Sequence, residues 1–220
     1  MSALTRVGYS IYDAGVINRK IRIININKNI QKMGINDMVY RTKTYIAGDW
    51  TGDSDLITKL EEWNKKDNLA LSFVNVHEVT QSSDDSSNCS IKRSLRKRMS
   101  ISKTFVLIVG DKTSSLRSGA CYLCNSYNPG FPAINISAFC LKGYPIDNRS
   151  YIEYECEMAL KDYQKGKLKN IVVIYNGLTE PNYSKCPSVL RGVGTHIGSD
   201  VIEDGVHKWA YSRIKNAICK

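Results

Sequence analysis

Beyond residue 42, apolar and polar positions fall into segments of period two and period near 3.6, in alternation. TKTYIAGDW predicts a buried strand over 44–47 that ends in Gly48-Asp49-Trp50. A helix follows, with Asp53 or Ser54 as N-cap and Leu56, Leu60 and Trp63 on one face. LALSFVNV, 69–76, predicts a second strand before the polar loop HEVTQSSDDSSN. In the next helix, 90–102, Ile91, Leu95 and Met99 recur at i, i+4 and i+8 among Lys92, Arg93, Arg96, Lys97 and Arg98. TFVLIVG, 104–110, is apolar enough to be a strand buried on both faces, as parallel strands are. A further helix begins at Ser150 and runs into an apolar strand, 171–175. VIEDGVHKWAYSRIKNAIC then predicts a closing helix whose inward face is Val206, Trp209, Ala210 and Ile214.

Strands that alternate with helices imply an α/β architecture, a parallel sheet with helices on both faces, and flavodoxin-like strand order is the natural one at this size. Ligands of such sheets sit at the carboxyl ends of the strands. Here those ends are Gly48-Asp49-Trp50, the loop after Val76, and Gly110-Asp111-Lys112-Thr113-Ser114.

Two stretches break the alternation. Residues 1–41 form an N-terminal extension in which Ile21, Ile23, Ile24, Ile26 and Ile30 alternate with Lys, Arg and Asn, a pattern that fits a helix and a strand equally. It is available as an arm for another subunit or protein partner. Residues 116–149 form an insertion in the α/β domain 42–220, carrying Cys121-x-x-Cys124, Cys140 and three of the five prolines. So long a loop is expected to be a lid, a binding loop or disordered.

Composition narrows the classes. The chain has 220 residues, 42% hydrophobic and 24% charged, and no apolar run approaches the roughly 18 residues of a membrane span. The N-terminus lacks the apolar core of a signal peptide, so a cytoplasmic protein is expected. Seven cysteines, an odd number, then read as reduced thiols. Cys121, Cys124 and Cys140 with Cys156 or Cys186 could instead hold zinc, although a second CxxC is missing and no metal site is assigned. A net charge of +10 permits nucleic acid, acidic membrane surface or phosphorylated ligands without choosing among them.

The helix that follows Ser150 carries the candidate chemistry. Ile152, Cys156, Ala159, Leu160 and Tyr163 form its apolar stripe. Glu155 sits at the edge of that stripe, Glu153 on the other border, and Glu157 points outward. Of the three carboxylates Glu155 is the one a neighbouring loop could most readily enclose; the alternative is a partly solvated helix flank.

KTYIAGDWTGDSDLITKLEEW, SSNCSIKRSLRKRMSISKTFVLIVGDKTSS, YIEYECEMAL and KNIVVIYNG, in that order, resemble the bacterial TIR-like domains, including the TIR subunits of Thoeris anti-phage systems. The CPSVLR segment and the region around Trp209 look like the same family's C-terminal part. The resemblance implies cleavage of the nicotinamide glycosidic bond of NAD, with the ADP-ribosyl part hydrolysed, cyclised or transferred, and NAD as substrate rather than cofactor. It maps the family's key glutamate to Glu155 and places Tyr151 where an aromatic precedes it. A carboxylate suits an oxocarbenium-like ribosyl centre. Asp49 takes a position that lines the pocket in relatives, although Gly48-Asp49-Trp50 departs from their usual run. Trp50 could stack on a base or only pack. Asp111 and Thr113, at the end of the third strand, complete the substrate-binding candidates.

The resemblance also implies activity in a homo-oligomeric or TIR–TIR assembly, without a membrane. Two alternatives stand beside the enzyme. One is a non-catalytic assembly module with the basic helix, 92–98, as contact surface, against the plain reading of that helix as a solvated face. The other is a nucleoside deoxyribosyltransferase-like glycosidase, which also uses a pocket carboxylate.

Overall fold

The computed structural model describes residues 43–72, 87–125, 127–128, 139–141 and 143–220. The chain divides into two units, Met1–Tyr40 and Arg41–Lys220, and the architecture below is that of the second alone. The reading of 1–41 as an arm lies outside the described residues, as does the second half, 73–76, of the predicted second strand.

Strands β1 (Lys43–Ala47), β2 (Leu71–Ser72), β3 (Ser102–Val109), β4 (Asn170–Tyr175) and β5 (Thr195–Gly198) form one parallel sheet in the order β2-β1-β3-β4-β5. This is the flavodoxin-like order. Side chains of a strand alternate between faces, and here both faces are apolar. Tyr45, Phe105, Leu107, Ile171 and Val173 face one way, against Leu95 and Met99 of α2 (Asn88–Met99) and Cys156 and Ala159 of α3 (Tyr151–Gln164). Ile46, Val106, Ile108, Val172 and Ile174 face the other way, against Leu56 and Leu60 of α1 (Ser54–Asp67) and Ile214 of α4 (Tyr211–Ile218). Each such large side chain, fully buried, contributes about 1.5–3 kcal/mol.

Helix starts follow local chemistry. Ser87 caps α2 by accepting from the Ser90 amide, two residues ahead of the predicted start. Ser150 and Glu153 form a capping box at the start of α3: Glu153 N donates to the Ser150 hydroxyl at 3.2 Å, and Ser150 N donates to Glu153 at 2.7 Å.

The closing helix expected from residue 201 is corrected. Residues 200–209 are an antiparallel hairpin, β6 (Asp200–Glu203) and β7 (Val206–Trp209), and only 211–218 are helical. Asp204 and Gly205 both have positive φ, 54° and 77°, which is the two-residue turn that Asp-Gly favours between strands. Turn chemistry overrides the helical spacing, and Val206 is 57% exposed instead of inward.

Two further expectations change. The basic helix is not simply a solvated face, because Lys92 is buried and bonded. On α3 the buried set is Ile152, Glu155, Cys156, Met158, Ala159 and Asp162, while Tyr163 is exposed. The buried face is therefore rotated toward Glu155, which lies within it and not at its edge. The described parts of the insertion meet the start of α2, and its first residues, Leu116 and Ser118, lie at the carboxyl end of β1. Asn88 Nδ2 donates to Ala120 O at 2.8 Å, and Cys121 N donates to Asp147 O at 3.1 Å.

Candidate active site

At the carboxyl end of β1 a cavity of about 300 Å³ is lined by Gly48, Asp49, Trp50, Leu116, Tyr151 and Glu155, among others. Chain segments from three places meet there. Gly48 passes so close to β3 that a Cβ would lie 3.1 Å from the Ile108 side chain, so the strand leaves the sheet without a side chain. Asp49 then turns the chain, its carboxylate accepting from the Thr51 amide at 3.1 Å. Leu116 and Ser118 enter from the first residues of the insertion. The Ser118 carbonyl accepts from Tyr151 N at 2.7 Å, which ties the insertion to the first turn of α3.

Tyr151 is fixed from two sides. Its hydroxyl donates to Asn88 Oδ1 at 3.0 Å, and its ring lies on Gly119, where a Cβ would meet it at 2.5 Å. Gly119 has φ +96°, so glycine is required there on both counts.

Glu155 is 3% exposed at the inner end of the cavity. The hydroxyl of Tyr45, on β1, donates to its Oε1. Burial pushes the Glu155 carboxyl up to about 8, against the Tyr45 hydrogen bond, which pulls it down. Burial, and next the Glu155 charge, hold the Tyr45 hydroxyl well above its ordinary range. The reading of Glu155 as a solvated helix flank is thus overturned. A buried carboxyl whose proton affinity is raised by its surroundings, at the wall of a cavity, suits proton transfer or the stabilisation of a positively charged centre.

The structure brings Asp49, Trp50, Tyr151 and Glu155 to one cavity. Trp50 lines this cavity and also packs against the apolar cluster under α1 and α4. Asp111 and Thr113 are elsewhere. Asp111 is exposed and paired with Lys185 at 2.6 Å, whose hydrogen bond lowers its carboxyl below the usual range. It lines a second recess with Asp53 and Asn176, which Asp49 also borders. Thr113 is buried, accepts from Gly110 N at 2.9 Å, and lines a third, larger cavity.

A charged network anchors the chain where it enters α3. Lys92 Nζ donates to the carbonyls of Asp147 and Arg149 at 2.7 and 2.6 Å and lies 3.3 Å from the Asp147 carboxylate. Arg149 pairs with Asp147 at 2.5 Å and Glu157 at 2.6 Å. Burial alone would raise the Asp147 carboxyl, but the bonds from Arg149 and the charge of Lys92 hold it down at about 2.

No disulfide joins the described cysteines. Cys89 and Cys121 lie 3.2 Å apart, and burial followed by the neighbouring thiols pushes Cys89 up to about 12. Among the described residues no three His, Cys, Asp or Glu side chains gather to hold a metal ion. No helix among them is long and apolar enough to cross a membrane.

Sequence reasoning missed Tyr45, Leu116 and Ser118 as parts of the site, and the burial of Lys92. For Tyr45 there was a signal: a phenol inside a strand apolar on both faces needs a hydrogen-bond partner. Ser150-x-x-Glu153 ahead of an apolar run was legible as a capping box.

Residues 45–118 match the family model described as Thoeris protein ThsB, TIR-like domain. The match takes in β1 to β3 and the residues 116 and 118 of the cavity wall, and it ends before α3 and Glu155. No curated protein matches the chain.

Proposed function

Because this chain belongs to the bacterial TIR-like domains, we propose that it is an NAD-consuming enzyme of anti-phage defence that breaks the bond between ribose C1′ and the nicotinamide nitrogen. One observation carries the reading: a buried glutamate, held by a tyrosine hydroxyl, at the inner end of a cavity with aromatic walls.

When the C1′–N bond breaks, its electron pair goes to the pyridine nitrogen, nicotinamide leaves neutral, and positive charge develops on the ribosyl centre. Ionised Glu155, itself buried, stabilises that charge. Burial favours the protonated form of Glu155, and the cationic nicotinamide ring of an arriving NAD favours its ionised form. Water then adds at C1′ and releases a proton to solvent, or a nucleophilic atom of the same molecule closes a ring. Tyr151 and Trp50 wall the ring site, and Asp49 faces the ribose. Self-assembly, including a role for residues 1–41, belongs to the same proposal, so the test is run at a concentration where the chain is assembled.

The test is nicotinamide release by purified protein. Glu155→Gln keeps the volume and removes the charge, and it is expected to lower the rate by roughly two to three powers of ten, about 3–4 kcal/mol. An unchanged thermal unfolding transition confirms that the fold survives. Release of free base from nucleosides with NAD untouched would replace this reading with the glycosidase one.

A further inference from the structure

Two thiols from distant parts of the chain touch where the insertion meets the start of α2. Cys89 lies in the first turn of that helix and Cys121 in a 3₁₀ turn of the insertion, 32 residues further on, and their sulfurs are 3.2 Å apart. The segments that carry them are already fastened together. Asn88 Nδ2 donates to Ala120 O at 2.8 Å, and Asp147 N donates to the Cys121 sulfur at 3.2 Å. Cys89 is half-buried, whereas Cys121 is buried. The same two segments hold the wall of the Glu155 cavity: Asn88 accepts from the Tyr151 hydroxyl, and the Tyr151 ring lies on Gly119.

We propose that Cys89 and Cys121 are a reversible disulfide site, oxidised by a small-molecule disulfide, that clamps the insertion to the start of α2. The inference rests on the placement of the thiols and not on the NAD reading. A disulfide holds its sulfurs about 2.05 Å apart, so these must approach by roughly 1 Å, a movement within the reach of side-chain rotation.

The difference in exposure orders the steps. Cys89, as thiolate, attacks one sulfur of the small disulfide, a mixed disulfide forms and one small thiolate leaves. Cys121 then gives its proton to solvent and attacks the Cys89 sulfur, and the second small thiolate leaves. The protein loses two protons and two electrons, and the small disulfide becomes two thiols. Burial, followed by the Cys121 and Cys140 thiols, pushes Cys89 up to about 12, so its thiolate is scarce and the first step is the slow one. The second step finds its partner in place, and the mixed disulfide is short-lived.

The test is incubation of the full chain with oxidised glutathione, followed by chymotryptic mapping without reductant. Cleavage after Tyr122, Leu123 and Phe139 puts Cys121, Cys124 and Cys140 on separate peptides. The expected crosslink joins the Cys89 peptide to the Cys121 peptide and is lost with dithiothreitol. In Cys121→Ser the glutathione adduct should accumulate on Cys89 to about ten times its level in the parent chain. Oxidation should raise the thermal unfolding transition of the parent chain by about 5–10 °C, the effect of closing a loop of this length, and leave that of Cys121→Ser within about 1 °C. Each protein is compared with its own reduced form, so any stability lost through the substitution itself drops out. Cys219, which is exposed, should carry the adduct in both and shows that the oxidant has reacted. A crosslink from Cys89 to Cys124 or Cys140, a Cys89 left unmodified or held as a stable adduct in the parent chain while Cys219 reacts, or a transition unmoved by oxidation overturns the proposal. Nicotinamide release is not read, so failure here leaves the proposed function standing, and failure there leaves the disulfide.

Discussion

The hydroxyl of Tyr45 donates to the carboxyl of Glu155 across 110 residues of sequence, joining the first strand of the sheet to the helix that follows the insertion. Both groups are buried, so each lowers the cost of enclosing the other. The bond also sets the ionisation of the carboxyl, since a donor to a carboxylate favours its charged form.

Tyr45→Phe tests that coupling. The ring and its stacking on Phe105, with centroids 5.8 Å apart, are kept. Without the donor the Glu155 pKa rises further, so the pH profile of kcat/KM for nicotinamide release should move to higher pH. At pH 7 the rate should drop about tenfold, consistent with a pKa rise of about one unit. Stability should change by only about 1–2 kcal/mol. A variant with reduced activity but an unmoved profile would show that the hydroxyl does not tune Glu155.

Glu155 also makes stability depend on pH. Its carboxyl is at about 8 in the folded chain and near 4.5 when unfolded, so between these values the folded state holds one more proton than the unfolded state. Stability from this group is complete below about 4.5 and is lost as pH rises through about 8. The loss is on the order of 2–4 kcal/mol. Urea unfolding of the parent chain and of Glu155→Gln at pH 5 and pH 9 isolates it, because other titrating groups are common to both. The difference in stability between them should shift in favour of Glu155→Gln at pH 9. A difference that stays constant with pH would mean that Glu155 is not buried as described.

Lys92→Met should destabilise the domain by about 2–4 kcal/mol, since it strips the donor from two carbonyls and leaves the Asp147 carboxylate without its buried partner. Lys97→Met, an exposed change one helical turn further along, should stay within about 0.5 kcal/mol. Hydrogen exchange locates the effect: amides of 116–125 and 143–150 should lose protection in the first variant before the sheet does. Equal stability of the two variants would return the basic helix to a solvated face.

The sequence by itself determined the α/β class, the buried strands β1, β3 and β4 and the helices between them, because these are written in local periodicity. Glu155, by contrast, was singled out by the resemblance to the TIR-like domains. Residues such as Phe105 and Val106 are apolar on both faces wherever the strand is placed, and parallel pairing follows from the alternation with helices. Turn chemistry was equally local at Asp204-Gly205, where a two-residue signal outweighs helical spacing. What tertiary structure alone decided is which groups of distant segments share an environment. No periodicity within α3 states that Tyr45 lies over Glu155, that Leu116 and Ser118 wall the cavity, or that Lys92 is turned inward to two carbonyls while its neighbour Arg93 lies over the Tyr144 ring at 4.2 Å. That Thr113 lies apart from Asp49, and that Asp111 shares a recess with Asp49 but not the Glu155 cavity, is of the same kind. All three sit at strand ends, but the loop after β3 turns toward Lys185 and Arg191, and direction after a strand end is set by what the loop packs against. Burial, which gives Glu155 its raised pKa, is a property of the surroundings and not of the residue.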